Sequence, residues 1–252
     1  MRLILEAIQK AILKNMKRVS FLLGAVGCAL VLLCPGRVRA AAGYEVFVSN
    51  EKSGELTVIS GDDFKAVATF PVGKRPRGIH ASADGKTVYV ALSGTPISPP
   101  PKLDDKGNPI FAKDDDDEHK ESDKAADGIG LVDVATRKFL RKIPAGSDPE
   151  QFCLSADGKR LFISNEDVRT ATVLDSATGK VITFVPVTQE PEGVGLAPNE
   201  KFFYVTCETG GDIFAIDTKE YKIVGQMHVN PRPRSVDFLP DSSSPVMGAT
   251  IS

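Results

Sequence analysis

Residues 72–92 read VGKRPRGIHASADGKTVYVAL, and residues 143–165 read IPAGSDPEQFCLSADGKRLFISN. Both run from a proline flanked by charged residues through a short apolar segment and an Asp-Gly-Lys turn to a second apolar segment. A third copy, VPVTQEPEGVGLAPNEKFFYVTC, covers 185–207, and a partial one, VNPRPRSVDFLPDSS, covers 229–243. Anchored on the turn residue, the copies fall at Asp84, Asp157, Asn199 and Asp241, at intervals of 73, 42 and 42. The first interval is one period plus an insertion of 31 residues, placed within 94–126. A fixed period of this length marks a stacked-repeat architecture, in which each unit buries its faces against its neighbours.

Within one period the apolar segments are short and separated by turn chemistry, such as Asp157-Gly158-Lys159 and Ala177-Thr178-Gly179-Lys180. The unit beginning at Pro149 therefore predicts strands at 151–155, 160–164, 171–175 and 181–185. Beyond residue 42 no stretch sustains helical periodicity. Four-stranded antiparallel units at this spacing predict an all-β chain, a β-propeller, with about four blades present of a ring of about seven. The pattern starts at the second strand of a blade near 44–49, and strand alternation fails at 242–248, which reads as truncation of a larger ring. The rival is a closed four-bladed ring in which the strand at 234–239 completes the first blade as a clasp.

Tyr204-Val205-Thr206-Cys207 resembles the YVTN signature, with cysteine in the last place, and Phe162-Ile163-Ser164-Asn165 and Phe47-Val48-Ser49-Asn50 are looser copies. A narrower resemblance rests on Asp127-Gly128-Ile129-Gly130, Asp148-Pro149-Glu150-Gln151-Phe152, Asn165-Glu166-Asp167, Glu190-Pro191-Glu192-Gly193-Val194 and Arg232-Pro233-Arg234. These strings are similar to the β-propeller proteins associated with quinone-cofactor (PQQ)-dependent catabolism. That resemblance implies a periplasmic accessory to alcohol-oxidising systems, without a defined reaction.

The ends and the composition bound the rest. Lys17 and Arg18, an apolar run over 21–33 and Val38-Arg39-Ala40 read as a signal peptide, with Met16 as the expected start and cleavage after Ala40 or Ala42. Residues 1–42 are thus set apart from a propeller domain over 43–252, and the product is expected to be periplasmic or secreted. An apolar run of 13 residues falls short of the roughly 20 a spanning helix needs, so no stable membrane anchor is expected after cleavage. A net charge of −2 points to no nucleic-acid partner. Of four cysteines only Cys153 and Cys207 follow the leader, and a disulfide between them is left open.

The loops leading into the first strand of each blade carry charge on both sides of a proline: Arg75-Pro76-Arg77, Asp148-Pro149-Glu150, Glu190-Pro191-Glu192 and Arg232-Pro233-Arg234. Proline presets where those charges point. Propeller topology puts the residues after the second strands, Glu51, Glu166 and Glu208, on the same face, together with the insertion. This face reads two ways. It is a polar mouth that holds a partner protein of the cell envelope or a small polar, zwitterionic or anionic ligand; or its arginines and glutamates pair with one another and only fix the blades in place. The candidate binding residues are Arg75, Arg77, Glu150, Glu166, Glu190, Glu192, Glu208, Arg232 and Arg234.

No catalytic residue, metal or cofactor is assigned. The acidic run 114–118 reads as a solvated loop, with calcium binding as its alternative. His80, Cys153, Gly195 and Asp237 hold the fourth position after each proline, but strand alternation packs this series between blades and not in the central channel. A flat quinone cofactor stacks well on an indole, and the chain has no tryptophan. Triads, phosphate loops and zinc-cysteine motifs are missing. A non-catalytic binding or accessory module is therefore expected; the alternative is a metal-dependent lactonase-like hydrolase that would draw on Glu166, Glu192, Glu208 and His80.

Overall fold

The computed structural model describes residues 43–97, 102–103, 105, 109–110, 122–229, 232–238 and 247–251. The expected leader and the acidic run 114–118 lie outside the described residues. Strands β1 (Glu45–Asn50), β2 (Glu55–Ser60) and β3 (Ala66–Pro71) form a three-stranded antiparallel sheet. Next come β4 (Pro76–Ala81) and β5 (Thr87–Leu92), a small hairpin β6 (Lys102–Leu103) and β7 (Pro109–Ile110), then β8 (Gly128–Asp133) and β9 (Lys138–Ile143). The order β4-β5-β8-β9 makes a complete four-stranded blade, with the hairpin inside the insertion between β5 and β8. The insertion is thus not all loop, because Lys102 and Leu103 pair antiparallel with Ile110 and Pro109.

Two further blades follow the same meander. One is β10 (Pro149–Leu154), β11 (Arg160–Asn165), β12 (Thr170–Asp175) and β13 (Val181–Pro186); the other is β14 (Pro191–Leu196), β15 (Phe202–Cys207), β16 (Asp212–Asp217) and β17 (Ile223–His228). The observed strands match the predicted ones to within two residues at each end. At the end of the chain β18 (Pro233–Phe238) pairs with β19 (Met247–Ile251).

That last pair corrects one expectation. Alternation does fail directly after Asp241, but a strand begins at Met247, six residues after the turn residue, where β5, β11 and β15 begin three residues after theirs. The Met-Gly-Ala-Thr-Ile pattern lies just beyond the serine-rich stretch that hides it. The clasp is not formed either: β18 hydrogen-bonds to β19 and not to β1.

The core lies between sheets, as stacking requires. Leu56, Val72, Val88, Val90 and Val132 fill the first interface. Ile129, Ile143, Phe152, Leu161 and Ile163 fill the second. Phe162, Val173, Val185, Phe203 and Phe214 fill the third, where the rings of Phe162 and Phe203 meet at 4.8 Å between centroids. Tyr204 and Ile213 pack toward Val236 and Phe238 of β18, beginning a fourth. Alternation along the middle strands sends successive side chains to opposite blade faces, so one strand serves two interfaces: Leu161 and Ile163 face one neighbour, Phe162 the other.

Cys153 and Cys207 are both buried free thiols, so no disulfide joins them. Burial pushes their pKa values up to about 12 and about 11, which keeps both protonated and unreactive.

Candidate functional site

The mouth is built by a repeated backbone device. The residue before each inner-strand proline is a charged non-glycine residue in the left-handed region: Arg75 at φ 39°, Asp148 at 49°, Glu190 at 53° and Arg232 at 70°. This conformation costs an L-residue about 1–2 kcal/mol, so four equivalent occurrences require support from their surroundings. Directly after each proline the pairing register slips, between Pro76 and Ile79, Pro149 and Phe152, Pro191 and Val194, and Pro233 and Ser235. Such bulges re-aim side chains, and here they turn Arg77, Glu150, Glu192 and Arg234 toward one another at the mouth end of the inner strands.

Hydroxyl groups near the ends of the second strands lock the bulges. Ser164 Oγ accepts from the Gln151 amide at 3.1 Å and lies 2.5 Å from the Glu192 carbonyl of the next blade. The Gly193 amide donates to Thr206 Oγ1 at 3.0 Å, and Ser49 Oγ donates to the Arg77 carbonyl at 2.8 Å. Asn165 spans Ala145 O at 2.8 Å and Thr172 Oγ1 at 2.7 Å. The inner strands crowd here: a Cβ on Gly193 would stand 2.7 Å from the Arg234 carbonyl oxygen.

The candidate binding side chains converge at the mouth. Arg77 contacts Glu150 directly and lies 3.8 Å from Glu166, 3.9 Å from Glu51 and 4.0 Å from Glu192, reaching carboxylates of three other sheets. Arg75 binds Glu51 at 2.9 Å and the Thr95 carbonyl at 2.7 Å, bordering a cavity of about 400 Å³ between the first two sheets. Arg234 grips Glu208 at 2.7 and 2.9 Å, and Arg232 contacts the same carboxylate. Glu190 stands at the rim, bonded to the Thr209 hydroxyl.

Asp148 belongs to this cluster although the binding assignment from sequence omits it. It is 1% exposed, bonded to the Ser93 hydroxyl, and its amide donates to Asp127 at 3.1 Å. Its carboxylate, with those of Glu150 and Glu166, brings one oxygen each to within 4.8 Å of the others, a set able to hold a cation. The sequence signal was its place in the charged prolyl series. Asp127 stood in one of the strings that carry the narrower resemblance, without a site role, and Ser93, at the other edge of the insertion, carried no signal beyond position. Lys74 binds Asp123 at 2.8 Å and Lys124 binds Asp167, which ties the base of the insertion to the rim.

Apart from the rim pairs of Lys74 and Lys124, the converging residues Glu51, Asp148, Glu150, Glu166, Glu190, Glu192 and Glu208 bring seven carboxyl groups against the four guanidinium groups of Arg75, Arg77, Arg232 and Arg234. The surplus appears in the titration. Burial, then the adjacent Asp148, pushes Glu166 up to about 7 in spite of Arg77. Burial and a hydrogen bond shared with Glu208 push Glu192 up to about 8. Protons thus stand in for the missing positive charge.

The far end of the channel departs from expectation. His80, Cys153, Gly195 and Asp237 line one groove, with His80 and Asp237 exposed to it, instead of being packed away between blades. Alternation does bury Cys153 and Gly195, but the first and last inner strands, β4 and β18, leave His80 and Asp237 open to the channel.

No family model and no curated relative matches this sequence. Solved structures do. Hydrazine synthase of Kuenenia stuttgartiensis matches over 78% of this chain and 50% of its own, at 18% identity and a TM-score of 0.60. Dihydro-heme d1 dehydrogenase NirN in complex with DHE matches over 78% of this chain and 37% of its own, at 18% identity and a TM-score of 0.53. Both are β-propeller proteins. This chain is a β-propeller. It spans half or less of each of these neighbours, and at such identity the likeness carries the fold alone.

Proposed function

We propose that this propeller is an exported, non-catalytic binding module of the cell envelope whose mouth receives a cationic side chain, lysine or arginine, of a partner protein. The surplus of buried carboxyl groups over guanidinium groups carries this reading. Arg75, Arg77, Arg232 and Arg234 each rest on a carboxylate, which favours a cation over the anionic ligand weighed from sequence, since an incoming cation would replace the protons held near Glu166 and Glu192. The leader-like residues 16–40 support export, and the YVTN-type and PQQ-associated strings support an accessory role beside quinone-dependent alcohol oxidation.

Isothermal titration with a short lysine- and arginine-rich peptide tests this. Binding is expected to weaken as salt rises and to fall in the pair Glu166→Gln, Glu192→Gln. Equal or tighter binding of an acidic peptide would sink the proposal. The metal-dependent hydrolase keeps one supporting observation, the Asp148, Glu150 and Glu166 set, and requires tight uptake of a divalent ion there together with turnover of a lactone.

A further inference from the structure

We propose that the groove at the end of the channel opposite the mouth is a second binding site, for a small organic ammonium ion with an apolar body. The groove measures about 370 Å³ and is lined by residues at or just beyond the C-terminal ends of the inner strands β4, β10, β14 and β18. That volume lies in the range of small-molecule sites, roughly 300–1,000 Å³.

Its chemistry is two-part. Leu154, Leu196, Val236 and Phe238 supply an apolar wall, with Phe238 held against Tyr204 at 5.5 Å between ring centroids. Gly195 keeps that wall tight, since a Cβ there would meet Val236 at 3.0 Å and Phe238 at 3.1 Å. The polar part is anionic. Asp237 and Glu200 line the groove, and no lysine or arginine does so among the described residues. His80, edge-on to Phe152 at 5.0 Å, brings no compensating charge at neutral pH, because desolvation holds its pKa below the ordinary histidine value despite the pull of Asp237.

Among the described residues Asp237 accepts a hydrogen bond only from its neighbour's amide, Phe238 N, at 2.9 Å, so its carboxylate remains available to a ligand. Glu200 stands in a turn position that Gly85 and Gly158 occupy in the preceding blades, at φ 54° against their 67° and 68°. A carboxylate is thus kept where glycine is easier, and it reaches back to the Ala156 amide of the adjacent blade. A hydrocarbon or aromatic body against Phe238 and Val236, with its ammonium directed at Asp237 and over the ring face, satisfies both parts. The acidic and apolar lining disfavours an anion.

The test is calorimetric and NMR titration of the full chain with phenethylammonium and, as a charge-reversed control, 3-phenylpropionate. Phenethylammonium is expected to bind with a Kd below about 10 mM, to shift the His80 ring protons, and to bind about tenfold more weakly to Asp237→Asn. Asp237 is exposed, so the variant should keep the wild-type Tm; the His80 shifts in unaltered protein read the site even if it does not. Binding should persist in saturating lysine- and arginine-rich peptide, which separates this groove from the mouth. No binding by the unaltered chain, equal binding of phenylpropionate, an unweakened Asp237→Asn, or displacement by the peptide would each overturn the proposal.

Discussion

Arg234 on the last inner strand holds Glu208 of the preceding blade in a fork, Nε to Oε2 at 2.7 Å and Nη2 to Oε1 at 2.9 Å. Glu208 is 2% exposed, and a carboxylate that deep is costly without a partner. Arg232 also contacts Glu208, so truncation at Arg234 leaves half of the support. Arg234→Ala is expected to destabilise by about 2–3 kcal/mol, below the cost of stripping a buried ion bare. Arg234→Lys should recover only part of this, because an ammonium cannot reproduce the fork. Urea unfolding of the three proteins measures both differences.

Glu166 and Glu192 give the mouth a pH dependence of definite sign. Their folded pKa values, about 7 and about 8, lie above the ordinary 4.5, so the native state holds protons that the unfolded chain has released. The stabilisation these protons give is complete below pH 4.5 and is lost as pH rises through 7 and 8. Tm is therefore expected to fall between pH 5 and pH 8.5. Glu166→Gln with Glu192→Gln should flatten that slope and be the more stable protein at the alkaline end. A slope of opposite sign, or one unchanged by the pair, would show that these carboxyls are not held protonated.

The two residue classes at the mouth were legible to different degrees. The prolyl loops and the glutamates after the second strands were placed on one face by repeat register alone, since the period fixes which loop is which. The contacts were not, because they depend on a bulge and a left-handed residue that no composition signal marks: of Arg75, Asp148, Glu190 and Arg232, only Asp148 is of a type enriched at positive φ. The hydroxyls Ser49, Ser164 and Thr206 were visible within a motif, yet their work, bonding bulged backbone within and between blades, appears only once the sheets are stacked. The groove residues His80 and Asp237 were misplaced for a related reason. Alternation assigns a face to each side chain, but whether that face is covered depends on the neighbouring blade.

Phe162 and Phe203 couple two complete blades, and both side chains are fully buried. Phe203→Ala is expected to cost about 3–5 kcal/mol, the range for truncating a core aromatic. In a stacked array the loss falls on one interface, so Phe162→Ala and the double variant should fall short of additivity by about 0.5–1.5 kcal/mol, the extra worth of an aromatic pair. Hydrogen exchange should show faster opening of β10 to β17 than of β4 to β9. Simple additivity would mean that the rings fill space independently.

The turns between third and fourth strands offer a stabilising change. Phe64 and Arg137 occupy, at φ 57° and 56°, the place where Gly179 sits at 73° in another blade. Phe64 is 72% exposed, so its ring adds little packing, while its Cβ is strained in the left-handed conformation the turn requires. Glycine adopts this conformation without the Cβ clash, and the relief of about 1–2 kcal/mol exceeds the roughly 0.4–1 kcal/mol lost by freeing the unfolded chain. Phe64→Gly is therefore expected to raise stability by about 0.5–1 kcal/mol. The Phe64 amide bond to Ser60 O at 3.0 Å, which closes the turn, should survive and exchange more slowly. Gly179→Ala is the reciprocal change: it should destabilise, since a Cβ there both takes on the backbone strain and stands 2.9 Å from Ile143 Cγ2. Paired thermal melts of the two variants give opposite signs if the backbone governs this turn, and the same sign if the side chains do.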